Sequence, residues 1–122
     1  DVYKRQLPGL RATINFAGGR GGRCLRRGTY NEKSMTRAYR SFGGDARIPG
    51  QWFYTQNDDY WGPKRPKRWH EAFTDGGGTA DFIHLPPFRT KGHSFFYKQA
   101  AIPIWSPFVD KFLRRHGLPG QP

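Results

Sequence analysis

Glycine and proline recur so often in this chain that no regular element can run far. With 16 glycines and 10 prolines among 122 residues, roughly every fifth position either loosens the backbone or removes an amide donor. The supply of the commonest core-forming side chains is thin as well. Leu, Ile, Val and Phe number 23, just under the one-fifth level at which a strongly charged chain is expected not to fold alone. The sequence therefore predicts a mostly irregular, extended chain with a few short α-helices, candidate short strands and little independent core, ordered by laying itself on partners.

Charge narrows the choice of partner. The 21 Lys and Arg against 9 Asp and Glu give a formal net charge of +12, and the excess is uneven. Residues 1–44 carry +8, residues 45–83 carry −1 and residues 84–122 carry +5. This divides the chain into a basic Gly/Arg-rich arm with one helix, a neutral aromatic centre, and an aromatic, basic C-terminal segment with a terminal helix. Acidic protein surfaces, RNA phosphates and anionic lipid headgroups all suit such arms.

One cysteine, Cys24, cannot staple the chain internally, and no Cys or His spacing matches a structural zinc site. The apolar run 99–109 is 11 residues long and contains two prolines, against the ~20 needed to span a bilayer. No transmembrane segment is expected.

Local signals predict three helices. Thr29, Tyr30, Asn31 and Glu32 read as a capping box opening a helix over 30–41, with Met35, Ala38, Tyr39 and Phe42 at helical spacing and Gly43-Gly44 as its stop. A second helix is expected over 66–73, with Trp69, Ala72 and Phe73 on one side. Ser106-Pro107 suggests an N-cap and first helical position for a third, over 107–116, which Gly117 ends. Short aromatic runs at 51–55, 81–85 and 94–98 are the candidate strands.

Three stretches carry candidate contact residues. The Gly/Arg segment offers Arg20, Arg23, Arg26 and Arg27 on flexible backbone, suited to phosphates or to an acidic groove. The run from Trp61 to His70 interleaves Lys64, Arg65, Lys67 and Arg68 with Trp61 and Trp69, a pattern of interface anchors or of RNA contacts with indole stacking. Farther on, residues 94–105 form the most apolar part, with Phe95, Phe96 and Trp105, and the terminal helix adds Phe108 and Phe112, with Lys98 and Lys111 placed to reach lipid headgroups.

Catalytic signatures are sparse. Asp58-Asp59 is a conceivable carboxylate pair, but adjacent side chains usually diverge, and the cations at 64, 65, 67 and 68 suggest ion pairing instead. His70, His84, His93 and His116 show no ligand spacing. The glycines at 76–78 lack the Lys of a phosphate-binding loop. No catalytic, cofactor-binding or metal residue is assigned, no cofactor is expected, and an enzyme is disfavoured.

In its small size, basic charge and Trp, Tyr and Pro content the chain resembles accessory subunits of mitochondrial complexes. The resemblance implies a non-catalytic structural subunit of a respiratory-chain or ATP synthase complex. Such a subunit would be held by other protein subunits, with peripheral contact to anionic lipid at the inner membrane. A mitochondrial ribosomal protein binding rRNA through its Arg-rich arms is the alternative, and a microtubule-associated structural protein the second.

Overall fold

In the computed structural model, which describes residues 9–19 and 32–120, three short strands form the centre. β1 (Thr13–Phe16), β2 (Gly50–Thr55) and β3 (Ala80–Leu85) lie in the order β1-β2-β3. Both pairings are parallel, with Thr13 opposite Gly50 and Gly50 opposite Ala80. Parallel neighbours need crossovers. α1 (Glu32–Asp45) lies between β1 and β2, and α2 (Arg65–Asp75) between β2 and β3. After β3 the chain makes two short 3-10 segments, Gly92–Tyr97 and Gln99–Ala101, and enters α3 (Ile102–Arg115).

Alternation along β2 assigns the layers. Trp52 points to the first helical layer, where its ring meets Tyr39 of α1 and Phe73 of α2. Phe53 points the other way, to Phe16 of β1 and Phe108 of α3. All six β2 residues are buried, as expected of a central parallel strand covered on both faces. The molecule is thus a three-layer α/β/α sandwich on a very narrow sheet.

The expectation of a mostly irregular chain with little independent core is overturned. Its premise counted Leu, Ile, Val and Phe and left out Trp and Tyr, whereas this core is aromatic: Trp52, Phe53, Tyr54, Trp61, Trp69, Phe73 and Phe95 are all buried in one cluster. Each such ring buries roughly 150–250 Å², so a few replace many leucines. Tyr39 stacks on Trp69 at 5.3 Å between centroids, and Trp61 meets Trp69 edge-on at 5.2 Å.

Glycine was also misread as punctuation. α1 runs through Gly43 and Gly44 to Asp45, where 30–41 was expected; its predicted cap at 29–31 lies outside the described residues. Gly43 is buried at the crossing with α2. A Cβ there would fall 1.9 Å from the Phe73 carbonyl oxygen, and one on Gly76 would fall 2.0 Å from that of Arg40. These glycines let two backbones touch.

The remaining elements differ in detail. The helix expected over 66–73 spans Arg65–Asp75 with a proline in its first turn. The terminal helix starts at Ile102, five residues before the expected 107, so Pro107 sits inside it and Ser106 caps nothing. Gly117, at φ 69°, ends it as expected, and the Leu118 amide donates back to the Leu113 carbonyl at 2.8 Å. The expected strand over 94–98 is instead the 3-10 segment Gly92–Tyr97. β1 was not anticipated at all. No helix among the described residues is long and apolar enough to cross a membrane.

Candidate functional site

In an open parallel sheet the carboxyl ends of the strands are where loops from different strands converge. Here the loop after β2 and the segment after β3 meet. The first makes a tight turn. The Asp58 amide donates to the Thr55 carbonyl at 3.3 Å, and the Asp58 carbonyl accepts from the Gly62 amide at 3.0 Å. Asp58 Oδ1 accepts from the backbone amides of Tyr60 and Trp61, each at 2.8 Å. Asp side chains that bind backbone two and three residues on fix such turns.

The other carboxylate oxygen points across to the segment after β3. Asp58 Oδ2 lies 3.0 Å from His93 Nδ1. The Asp58 side chain is 0% exposed and that of His93 24%. A buried carboxylate is tolerated when donors surround it, and this one has three. Because a carboxylate only accepts, Nδ1 is the protonated ring nitrogen. Nε2 makes no hydrogen bond among the described residues. Tyr60 stacks on the imidazole at 4.8 Å, and Phe96 meets it edge-on at 5.6 Å.

Asn57 fixes the segment that carries His93. Its Oδ1 accepts from the Phe88 amide at 2.9 Å, its Nδ2 donates to the carbonyls of Phe88 and Arg89 at 3.3 and 2.9 Å, and its own carbonyl accepts from the Gly92 amide at 3.2 Å. Arg89 takes a left-handed conformation, φ 51°, to complete the bend. Gly92 then packs so closely on the end of β2 that a Cβ would fall 2.2 Å from both Thr55 Oγ1 and Asn57 Oδ1. The His93 amide donates to Asp59 Oδ1 at 3.3 Å. The two adjacent aspartates thus diverge, as expected, yet both serve the same histidine.

The third strand end closes the site from the side. Trp61 Nε1 donates to the Ala17 carbonyl at 2.9 Å, and the Tyr54 hydroxyl donates to that of Gly18. Ala17, just past β1, is buried with φ 50°, a strained value for a residue with a Cβ.

The arrangement can do one thing well. A histidine whose Nδ1 is held by a buried carboxylate presents the lone pair of Nε2 in a fixed direction, suited to taking a proton from a nucleophile and returning it to a leaving group. No group of three or more His, Cys, Asp or Glu able to hold a metal gathers among the described residues.

The residues singled out from sequence fall elsewhere. Arg20, Arg23, Arg26 and Arg27 lie outside the described residues. Trp61, Trp69, Phe95 and Phe112 are buried within the chain's own fold, and Trp105 packs edge-on against Phe16 at 4.9 Å. Lys64 and Lys67 are exposed. Arg65 and Arg68 approach Glu32 of α1 at 3.7 and 3.4 Å, rather than the aspartates. Phe96 and Phe108 are exposed. The Asp58–His93 pair was missed because 35 residues separate its members. The available signal was positional: Asp58 follows the candidate strand 51–55 by three residues, and His93 follows 81–85 by eight.

Comparison with protein-family models, with curated proteins and with solved structures found no match.

Proposed function

We propose that Asp58 and His93 are the acid and base of a catalytic triad that transfers acyl groups, in a hydrolase of esters, thioesters or amides. The observation carrying this reading is the 3.0 Å contact between His93 Nδ1 and a fully buried Asp58 carboxylate whose other oxygen is held by two amides. An ordinary surface ion pair has no need of that construction.

Order along the chain supports it too. In α/β-hydrolases the triad runs nucleophile, acid, histidine, each on a loop at the carboxyl edge of a mostly parallel sheet. Here the acid follows β2 and the histidine follows β3. The reading requires a hydroxyl or thiol as nucleophile; among the described residues none hydrogen-bonds His93 Nε2. His93 Nε2 takes that nucleophile's proton as it attacks the substrate carbonyl. The imidazolium, stabilised by Asp58, then protonates the departing alcohol, thiol or amine. Water repeats both steps to release the acid.

The test is hydrolysis of aryl esters, and labelling by a fluorophosphonate, using the protein in the form its native source produces. His93→Ala is expected to lower kcat by about 10⁶. Asp58→Asn keeps an acceptor for the turn amides but favours the wrong tautomer, and is expected to lower kcat by about 10⁴. Turnover indifferent to both substitutions, or no turnover and no labelling, contradicts the reading.

The accessory-subunit reading loses the premise that the chain orders only on partners, but one observation still supports membership of a larger assembly. Phe96, Tyr97, Ile102, Ile104 and Phe108 are large, apolar and exposed; Phe96 meets Tyr97 edge-on, and Ile104 and Phe108 lie one helical turn apart on α3, the kind of apolar exposure that marks interaction surfaces. Density-gradient sedimentation of a detergent extract of the native source tests it: co-migration of the chain with a large complex is expected, and migration as a lone monomer counts against it.

A further inference from the structure

α1 and α2 lie side by side in the same direction. Glu32 at the head of α1 meets Arg65 and Arg68 at the head of α2, at 3.7 and 3.4 Å, and the close approach of Gly43 to Phe73 lies near the far ends of both. Positive charge gathers at the heads. Residues 32–40 and 64–70 hold seven Lys or Arg and one acid, Glu32. On α1, Lys33, Arg37 and Arg40 are exposed at i, i+4 and i+7, hence on one face, and with Glu32 and Thr36 they line an open hollow of about 410 Å³. A second hollow of about 310 Å³ is lined by Lys64, Arg65 and Arg68 beside residues 61–63. Glu32 stands between the two, lining the first and pairing with two cations of the second.

This charge works against the fold. The start of a helix is the positive end of its dipole, where acidic side chains stabilise and basic ones do not. α2 does the reverse: Lys64 caps it, Arg65, Lys67 and Arg68 fill its first turn without an acid, and its last turn ends on Asp75 without a base. One carboxylate neutralises little of this. Among the described residues, Lys33, Arg37, Arg40, Lys64 and Lys67 make no ion pair. The field reaches β3, where burial lowers the pKa of His84 and the Lys67 charge lowers it further. Stability would be served by the opposite arrangement, so these cations answer to an anion outside the fold.

The class of that anion follows from what else the surface offers. Protein interfaces centre on aromatic and other apolar anchors, but Trp61 and Trp69 of this same run are buried, and among the described residues no large apolar side chain is exposed on either helix. Nor does either helix present a ring for a base to stack on. Rows of cations alone suit phosphates repeated along a chain, which are held without regard to base sequence.

We propose that the outer face of α1 and α2 binds the phosphodiester backbone of nucleic acid, through Lys33, Arg37 and Arg40 on one helix and Lys64, Lys67 and Arg68 on the other. This does not rest on the acyl-transfer reading.

Fluorescence anisotropy of a labelled oligouridine RNA, titrated with the full chain, tests it. Saturable binding is expected, with log K falling against log salt at a slope of about −4 for six contacts to a single strand. A mixed-sequence RNA of the same length should bind equally well. Lys33→Gln, Arg37→Gln and Arg40→Gln together should weaken binding about tenfold or more and flatten the slope by about 2, whereas Lys98→Gln with Lys111→Gln, off both helices, should change neither. Binding that never saturates, a triple variant that binds as the unaltered chain does, or tighter binding to polyglutamate or to phosphatidylserine vesicles than to RNA overturns the proposal.

Discussion

Asn57 grips Phe88 by both of its backbone groups, accepting from the amide at 2.9 Å and donating to the carbonyl at 3.3 Å. One side chain thereby copies the pairing that a fourth strand would supply, and it sets the path of the segment leading to His93. Asn57→Ala leaves the Phe88 amide without its acceptor, and the expected loss is about 1–3 kcal/mol in denaturant unfolding. Asn57→Asp keeps the acceptor but sets a charged oxygen against the Phe88 and Arg89 carbonyls, so its loss is expected to be no smaller.

Gly43→Ala tests the helix crossing. Alanine is the better helix former by about 1 kcal/mol, but its Cβ would sit 1.9 Å from the Phe73 carbonyl oxygen. Backbone cannot yield there without separating α1 from α2. The net change is expected to be destabilising by about 1–3 kcal/mol, measured as a lower denaturant midpoint. A neutral or stabilising result would mean that the helices are not in backbone contact.

His84 gives the fold a mild acid sensitivity. Burial, reinforced by the positive charge of Lys67 and partly offset by a hydrogen bond with the Thr55 backbone, lowers its pKa from the ordinary 6.5. Above that value the imidazole is neutral in both states and contributes nothing. As pH falls through 6.5 the unfolded chain takes up the proton first, so stability declines until the folded pKa is passed. Lys67→Gln should raise the titration midpoint of His84 only in part, since burial is the larger cause, and NMR titration of the ring protons reads this directly.

Local signals along the sequence reported the helices better than the fold. Residues 66–73 and 107–116 announced themselves by apolar spacing and end signals, and both lie within the observed α2 and α3 or at their ends. The strand ends at 55 and 85 were legible to the residue. What stayed hidden was non-local. Nothing near Thr13–Phe16 says that four residues form an edge strand beside Gly50–Phe53. Gly43 has the same appearance as a helix stop and as a helix contact until α2 is packed against it. Trp61 and Trp69 resemble interface anchors because the rings that enclose them come from distant segments.

The same holds for the site. Asp58 looked paired with the cations that follow it because sequence proximity is all that a linear reading offers. The turn amides of Tyr60 and Trp61 instead hold one oxygen inward, and the parallel pairing of β2 with β3 brings His93 onto the other. A catalytic reading needed the sheet topology first.

The most direct test is nitrogen-15 NMR of His93 at a pH where its ring is neutral. The account predicts a protonated Nδ1 with a far-downfield, slowly exchanging proton, an unprotonated Nε2, and loss of that signal in Asp58→Asn. A ring protonated at Nε2, or an Nδ1 proton that exchanges freely with water, would contradict it.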